Sequence, residues 1–202
     1  MSKLEWPYTT PGIPDHLFKQ SNAIPMTKQE IRLIAIGKMK LFPGAVVYDV
    51  GAGSGSVTVE CALQIKNGTV YALEKDSSAD ELVEANARRF GLTNVRLVPG
   101  FAPDTMEKLP PADRIFIGGS AGALSEILET SHHKLKPDGW LVASAITLET
   151  GPRVLQFLED KGYQQIEAVN ISVARARQVA RSHMWQGMNP VMIVSGQKPG
   201  KP

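Results

Sequence analysis

The sequence predicts an α/β fold: a mostly parallel, seven-stranded sheet with helices on both faces. Three observations carry this expectation. Beyond Pro43-Gly44, short apolar runs of strand length alternate with runs of helical periodicity. The first strand-like run leads straight into a glycine-rich turn, 49–56, and then a helix. The chain ends on two strand-like runs without a clear helix between them, which suits an antiparallel addition at one sheet edge.

The elements follow in order. Residues 1–26 hold Pro7, Pro11, Gly12, Pro14 and Pro25, and read as an extended arm ahead of one domain, 27–202. Residues 27–40 read as a helix. Thr27 and Glu30 have capping-box spacing, and Ile31, Ile34, Ala35 and Met39 share a face. Strands are expected at 46–50, 69–73, 95–98, 113–117 and 140–146. Helices are expected at 56–65, at 78–90 behind a second capping box from Ser78 to Glu81, at 122–135, and at 151–161. Lys136-Pro137-Asp138-Gly139 reads as a break, and Gly162 as a helix stop. Residues 164–179 and 190–195 are the last two strand candidates.

Composition narrows the function. The 202 residues carry a formal net charge of +2, so any basic site has to be local. No apolar run approaches the roughly 18–20 residues that span a bilayer, and the first residues show no signal-like apolar core. One cysteine, Cys61, excludes an internal disulfide framework. A cytoplasmic, single-domain protein without nucleic-acid or membrane partners is the expectation. Cys61 reads as buried packing. His132-His133 lacks the carboxylates or thiols of a metal site, and adjacent helical residues diverge, so no protein-bound metal is expected.

Asp49-Val50-Gly51-Ala52-Gly53-Ser54-Gly55-Ser56 is the main chemical motif. Glycines let a chain turn sharply and let a ligand approach the backbone. A dinucleotide fingerprint needs glycine at position 56, which is serine; a phosphate loop needs Gly-Lys-Ser/Thr, which is absent. The second strand ends at Glu74, 19 residues after Gly55, where a carboxylate suits ribose hydroxyls.

The pattern G-x-G-x-G with an acid two places before it resembles motif I of S-adenosylmethionine (SAM)-dependent methyltransferases. That implies the Rossmann-like class I methyltransferase fold, with adenine packed by Pro99-Gly100-Phe101-Ala102-Pro103-Asp104. Further segments narrow the resemblance: Gly12-Ile13-Pro14-Asp15, Ile24 to Arg32, Asp113 to Gly122, Arg181 to Trp185, and Asn189-Pro190-Val191. Together they resemble the decarboxylating precorrin C15-methyltransferases of cobalamin biosynthesis, over about residues 12 to 197. The glycine turn is common to many methyltransferases, whereas the Ile-Gly-Gly-Ser and Pro-Met-Thr segments are far more specific. The chain leaves no room for the C5-methylating domain fused in aerobic relatives. This implies C15 methylation coupled to decarboxylation of the C12 acetate, and favours cobalt-precorrin-6B as substrate. Carried over by position, the resemblance implies SAM contacts at Thr27, Gly51, Ala52, Gly53, Ser54, Gly55, Glu74 and Ala102. It also implies a homotetramer.

A tetrapyrrole bearing many carboxylates needs local positive charge, and arginine's fork matches a carboxylate. Arg175 and Arg177 alternate with alanines, so in extended chain both point to one face. They are either substrate anchors or a solvated face or subunit contact. Gly118-Gly119-Ser120 either lets a flat macrocycle approach the backbone or forms a tight turn capped by Ser120. His183 and Glu149 are the candidates for proton transfer; each has an equally plain reading, as a packing residue and a loop acid. Two other classes compete: a SAM methyltransferase acting on RNA or a protein carboxylate, and a non-catalytic SAM- or tetrapyrrole-binding subunit. The near-neutral charge and 6% aromatic content oppose the first, since a nucleic-acid enzyme needs basic and stacking surfaces. The intact glycine turn and Glu74 favour SAM binding in the second without establishing turnover.

Overall fold

The computed structural model describes residues 5–200; residues 1–4, the start of the arm, and residues 201–202 lie outside the described residues. Among the described residues nine strands form: β1 (Val46–Val50), β2 (Thr69–Glu74), β3 (Val95–Pro99), β4 (Ala112–Ile117), β5 (Leu135–Ala145), β6 (Gln164–Ile171), β7 (Ala174–Val179), β8 (Ser182–Gly187) and β9 (Val191–Gln197). Six α-helices accompany them: α1 (Gln29–Met39), α2 (Ser56–Gln64), α3 (Ser77–Arg89), α4 (Ala102–Met106), α5 (Leu124–Lys134) and α6 (Thr150–Asp160). Seven strands make one sheet in the order β3-β2-β1-β4-β5-β9-β6. The first five are parallel, and β9 inserts antiparallel between β5 and β6. This is the expected fold, including the antiparallel edge.

Strand alternation sends side chains to two cores. Tyr48, Val50, Ile115 and Ile117 face one, filled by Leu124, Ile127 and Leu128 of α5 and Val154 and Leu158 of α6. Val47, Val70, Phe116 and Val142 face the other, filled by Ile31, Ala35 and Met39 of α1 and Val57 and Cys61 of α2. Cys61 is fully buried, as expected, with its Sγ 3.8 Å from Met39 Sδ. Each fully buried aliphatic side chain contributes roughly 1.5–3 kcal/mol.

Four local expectations are corrected. Neither capping box forms. Helix α1 starts at Gln29 with no side-chain cap, because the Glu30 carboxylate is drawn to Arg175 in a two-pronged, charge-assisted contact (2.9 and 2.5 Å). Asp76, not Ser78, caps α3; its Oδ1 accepts from the backbone N of Ser78 at 2.9 Å. Strand β5 starts at Leu135, and Lys136-Pro137-Asp138-Gly139 lies inside it as an irregularity. Leu135 pairs with Ala112 before the register shifts, and Asp138 takes a positive φ of 61°. Finally, the run 164–179 is two strands. It leaves the sheet after Ile171, and β7 pairs with β8 in a separate hairpin turned by Ala180-Arg181.

Before α1 the chain forms a strap rather than plain extended structure throughout. A 3-10 turn occupies Asp15–Leu17, and Ile13 and Phe18 bury against Val59 and Phe90. Three buried polar side chains hold the strap. Glu60 of α2 accepts from the backbone N of Gly12 (2.6 Å) and Ile13 (3.1 Å). Asn86 of α3 accepts from Lys19 N (2.7 Å) and donates to the carbonyls of Lys19 (3.0 Å) and Ser54 (2.8 Å). Arg32 of α1, wholly buried, donates to Glu60 Oε1 and Asp15 Oδ1 (both 2.8 Å) and to the carbonyls of Ile13 and Thr27. Arg32→Ala is expected to cost about 3–5 kcal/mol of unfolding free energy in urea titration, because Glu60 and Asp15 lose their counter-charge. A loss below about 1 kcal/mol, the scale of a surface pair, would show that the strap is held without it.

Candidate functional site

Strand β1 lies between β2 and β4, so the connections leaving β1 and β4 run to opposite faces of the sheet. Such a switch point opens a crevice at the carboxyl edge. A cavity of about 290 Å³ occurs there. Its lining comes from five pieces of chain: the strap (Ala23, Ile24, Pro25, Thr27), the glycine turn (Gly51, Ala52, Gly53), the end of β2 with the start of α3 (Leu73 to Asp76, Ala79), the turn after β3 (Gly100, Phe101, Ala102), and the segment Gly118 to Ala121 with Ile127.

The close approaches show why small residues stand here. A Cβ on Gly51, at φ 74°, would sit 2.8 Å from the backbone N and O of Gly119. The β1 and β4 turns therefore interlock main chain to main chain. A Cβ on Gly53 would meet the Pro25 carbonyl at 3.0 Å, so the strap rests on the glycine turn. At Gly119 the reverse holds: nothing lies nearer an added Cβ than Gly51 Cα at 4.0 Å.

Glu74 is the fixed charge of the cavity. Its Oε2 accepts from Gly53 N at 2.8 Å, and its Oε1 from Lys75 N (2.8 Å) and Asp76 N (2.9 Å). Three main-chain donors leave part of its acceptor capacity open, since a carboxylate offers about four lone-pair sites. Asp49, behind the turn, is buried. Its Oδ2 accepts from the Thr58 hydroxyl at 2.5 Å, and its Oδ1 has no partner among the described residues. Burial pushes its pKa up to about 6, opposed by the Thr58 hydrogen bonds and helped by the negative charge of Glu74. Ser54 Oγ is likewise buried without a partner among the described residues. A carboxylate with spare acceptor capacity beside open main chain and apolar Ile24, Ala79 and Phe101 suits a nucleoside such as that of SAM.

Residues 16–198 match the precorrin methyltransferase domain family. The chain belongs to that family. It is 39% identical over 97% of its length to the full length of a Saccharolobus solfataricus protein named "Probable cobalt-precorrin-6B C(15)-methyltransferase (decarboxylating)". Among solved structures it is similar to a precorrin-6y C5,15-methyltransferase from Geobacter metallireducens, with TM-score 0.88 and 37% identity over 95% of this chain and 100% of that one. It is also similar to the precorrin 8w decarboxylase of Methanobacterium thermoautotrophicum, with TM-score 0.86 and 35% identity over 91% of this chain and 98% of that one.

The expected site residues of this precorrin methyltransferase family member fall into three groups. Thr27, Gly51, Ala52, Gly53, Glu74, Ala102, Gly118, Gly119 and Ser120 all line the cavity. Ser54 and Gly55 do not: Ser54 presents its carbonyl to Asn86, and Gly55 backs onto Val83 of α3. Arg175, Arg177, His183 and Glu149 also lie outside the lining. Arg175 is engaged by Glu30 and by Asp15, 2.9 Å from its Oδ2. Arg177 and His183 stand exposed on the hairpin, and Glu149 is exposed at the start of α6. Ser120 caps nothing through its side chain; its carbonyl accepts from Ala123 N at 2.9 Å. Among the described residues no His, Cys, Asp and Glu cluster could hold a metal ion, and His132 Nδ1 instead lies 3.3 Å from the Tyr163 hydroxyl. Sequence reasoning did not assign Ala23, Ile24 and Pro25 to the site, although Ile24 and Pro25 open the segment Ile24 to Arg32 that carries the family resemblance. It also missed Lys75 and Asp76, which share the turn with Glu74.

Asp49 gives a pH-dependent prediction. Its folded pKa of about 6 exceeds the unfolded value near 3.9, so the native state holds the extra proton and loses stability as pH rises between them. The amide of an Asp49→Asn variant cannot ionise. The stability of that variant relative to the parent is therefore expected to rise from pH 4 to pH 6 by up to ~3 kcal/mol and stay level above, by urea unfolding at each pH. A difference flat across that window would contradict the assignment.

Proposed function

We propose that the carboxyl-edge cavity binds SAM and that the protein methylates C15 of a precorrin-6B-type tetrapyrrole while the carboxyl group of the C12 acetate side chain leaves as carbon dioxide and a proton takes its place, leaving a methyl group on C12, a step of cobalamin biosynthesis. The supporting observation is Glu74, fixed by Gly53 against the glycine turn inside the cavity, in a chain belonging throughout 16–198 to the precorrin methyltransferase family. The names of the relatives favour the cobalt-containing substrate and the decarboxylating reaction.

SAM would supply a methyl group already activated by its sulfonium. The chain's part is then orientation and exclusion of water. Glu74 would accept from the ribose hydroxyls, Ile24, Ala79, Phe101 and Ala102 would enclose the adenine, and Thr27 and the glycine turn would face the remainder. Gly118, Gly119 and Ser120 close the other part of the lining with main chain and one hydroxyl, and the room at Gly119 suits close approach of a flat ring. Among the described residues, the ionisable side chains in the lining are Glu74, Lys75 and Asp76. Glu149 and His183 lie outside that lining, so this reading assigns the chain orientation ahead of proton transfer by either. Arg177, exposed on β7, is offered as a contact for substrate carboxylates.

Assembly as a homotetramer is part of the same proposal. The hairpin exposes Val179, Met184 and Trp185, the last at 78%, and apolar side chains so exposed on a two-stranded ribbon suit a subunit contact. No helix among the described residues is long and apolar enough to cross a membrane, and a cytoplasmic enzyme is proposed.

The test is a paired assay with SAM and cobalt-precorrin-6B, following S-adenosylhomocysteine and corrinoid mass together. The expected product has gained one methylene and lost one carbon dioxide, in step with S-adenosylhomocysteine. Methylation without mass loss, or no turnover by protein that binds SAM, would remove the substrate assignment. Glu74→Gln is expected to weaken S-adenosylhomocysteine binding tenfold or more by calorimetry, at about 1.4 kcal/mol per decade.

A further inference from the structure

Arg175 lies outside the cavity, yet it is one end of a chain of charged contacts that reaches the cavity wall. Its guanidinium grips Glu30, in the first turn of α1, at 2.9 and 2.5 Å, and lies 2.9 Å from Asp15 Oδ2. The other oxygen of Asp15 accepts from Arg32 Nη1 at 2.8 Å. The same Nη1 donates to the carbonyl of Thr27, a lining residue. Glu60 closes the far side of Arg32. Five charged groups thus meet, three carboxylates and two guanidiniums, with a net charge of −1. A cluster already in anionic excess is a poor seat for a substrate carboxylate, whereas it holds Arg175 firmly. Arg175 comes from the hairpin, which is not part of the main sheet.

We propose that Arg175 is a positioning residue for the cofactor: through Asp15 and Arg32 it latches the strap segment Ala23 to Thr27 over the glycine turn. Bound SAM would then leave only when that segment lifts, and the hairpin sets how readily it does so. This rests on the reading that the cavity holds SAM.

The experiment compares the parent, Arg175→Ala, Arg175→Lys and Lys38→Ala. Lys38 makes a comparable long-range pair with Glu167 at 2.5 Å from the opposite end of α1, so its loss controls for general loosening of the helix. S-adenosylhomocysteine affinity and release rate are measured by calorimetry and stopped-flow, with Tm and steady-state constants alongside. Arg175→Ala is expected to bind about tenfold more weakly, mainly through faster release, and to raise KM for SAM more than it lowers kcat. Arg175→Lys, which keeps the charge but not the fork, should recover part of the affinity, and Lys38→Ala should match the parent. Unchanged cofactor affinity in Arg175→Ala, with KM raised only for the corrinoid, would overturn the latch and make Arg175 a substrate contact. Equal weakening in Lys38→Ala would reduce the effect to helix stability and also overturn it. If the parent itself fails to bind S-adenosylhomocysteine, the SAM reading fails first, which separates the two claims.

Discussion

The buried guanidinium of Arg32 stands where three pieces of chain meet: the strap, the start of α1 and the middle of α2. A charge inside a protein is tolerated only when its donors are met, and here Glu60, Asp15 and two carbonyls meet them. That requirement fixes the path of the strap more tightly than its own sequence could. Prolines and glycines in 7–25 would otherwise leave it free to run anywhere over the surface. Asn86 adds a second constraint by joining the strap to the carbonyl of Ser54 in the glycine turn. The strap becomes a wall of the cavity because these buried polar groups, together with Ile24 packed on Ala79 and Leu82, hold it there.

The cavity itself follows from sheet order. The order of the strands reverses between β1 and β4, which opens the crevice, and the two turns that border it interlock at Gly51 and Gly119. Glu74 then ties the second strand to the first turn. Three turns from three strands are held at fixed separation by main-chain contacts, before any ligand is considered. This is the kind of preorganisation that an orientation-driven reaction needs. The few ionisable groups in the lining fit the proposal that the cofactor brings the activated methyl group with it.

Much of this was legible in the sequence, for local reasons. Alternating strand and helix runs are strong signals, and the run Asp49 to Ser56 put the glycine turn after β1. Glu74 followed from its distance along the chain. The misreadings share a cause, which is tertiary competition for groups that look local. Glu30 has capping spacing, but a guanidinium 145 residues away outbids the helix N-terminus. The turn of the hairpin is Ala180-Arg181, without the glycine or asparagine that marks a tight turn, although Ala180 adopts a φ of 53°. Lys136 to Gly139 carries every sign of a break and is absorbed into β5 because β4 pairs with Leu135 before it and Trp140 after it, while Lys198, just past β9, bonds Asp138 and Gly139. Ile24 and Pro25 could not be read as lining, because contacts distant in sequence, from Arg32, Asn86 and the Ala79–Leu82 face of α3, bring them to the glycine turn.

One cavity, walled by the glycine turn, Glu74 and the pinned strap, is proposed as the cofactor site, and a crystal structure of the protein with S-adenosylhomocysteine tests that most directly. The nucleoside is expected between Glu74 and Phe101, with the ribose hydroxyls on the Glu74 carboxylate and Pro25 and Thr27 still against the glycine turn. Ligand bound elsewhere, or ligand in this cavity with the strap displaced and the Arg32 contacts broken, would contradict it.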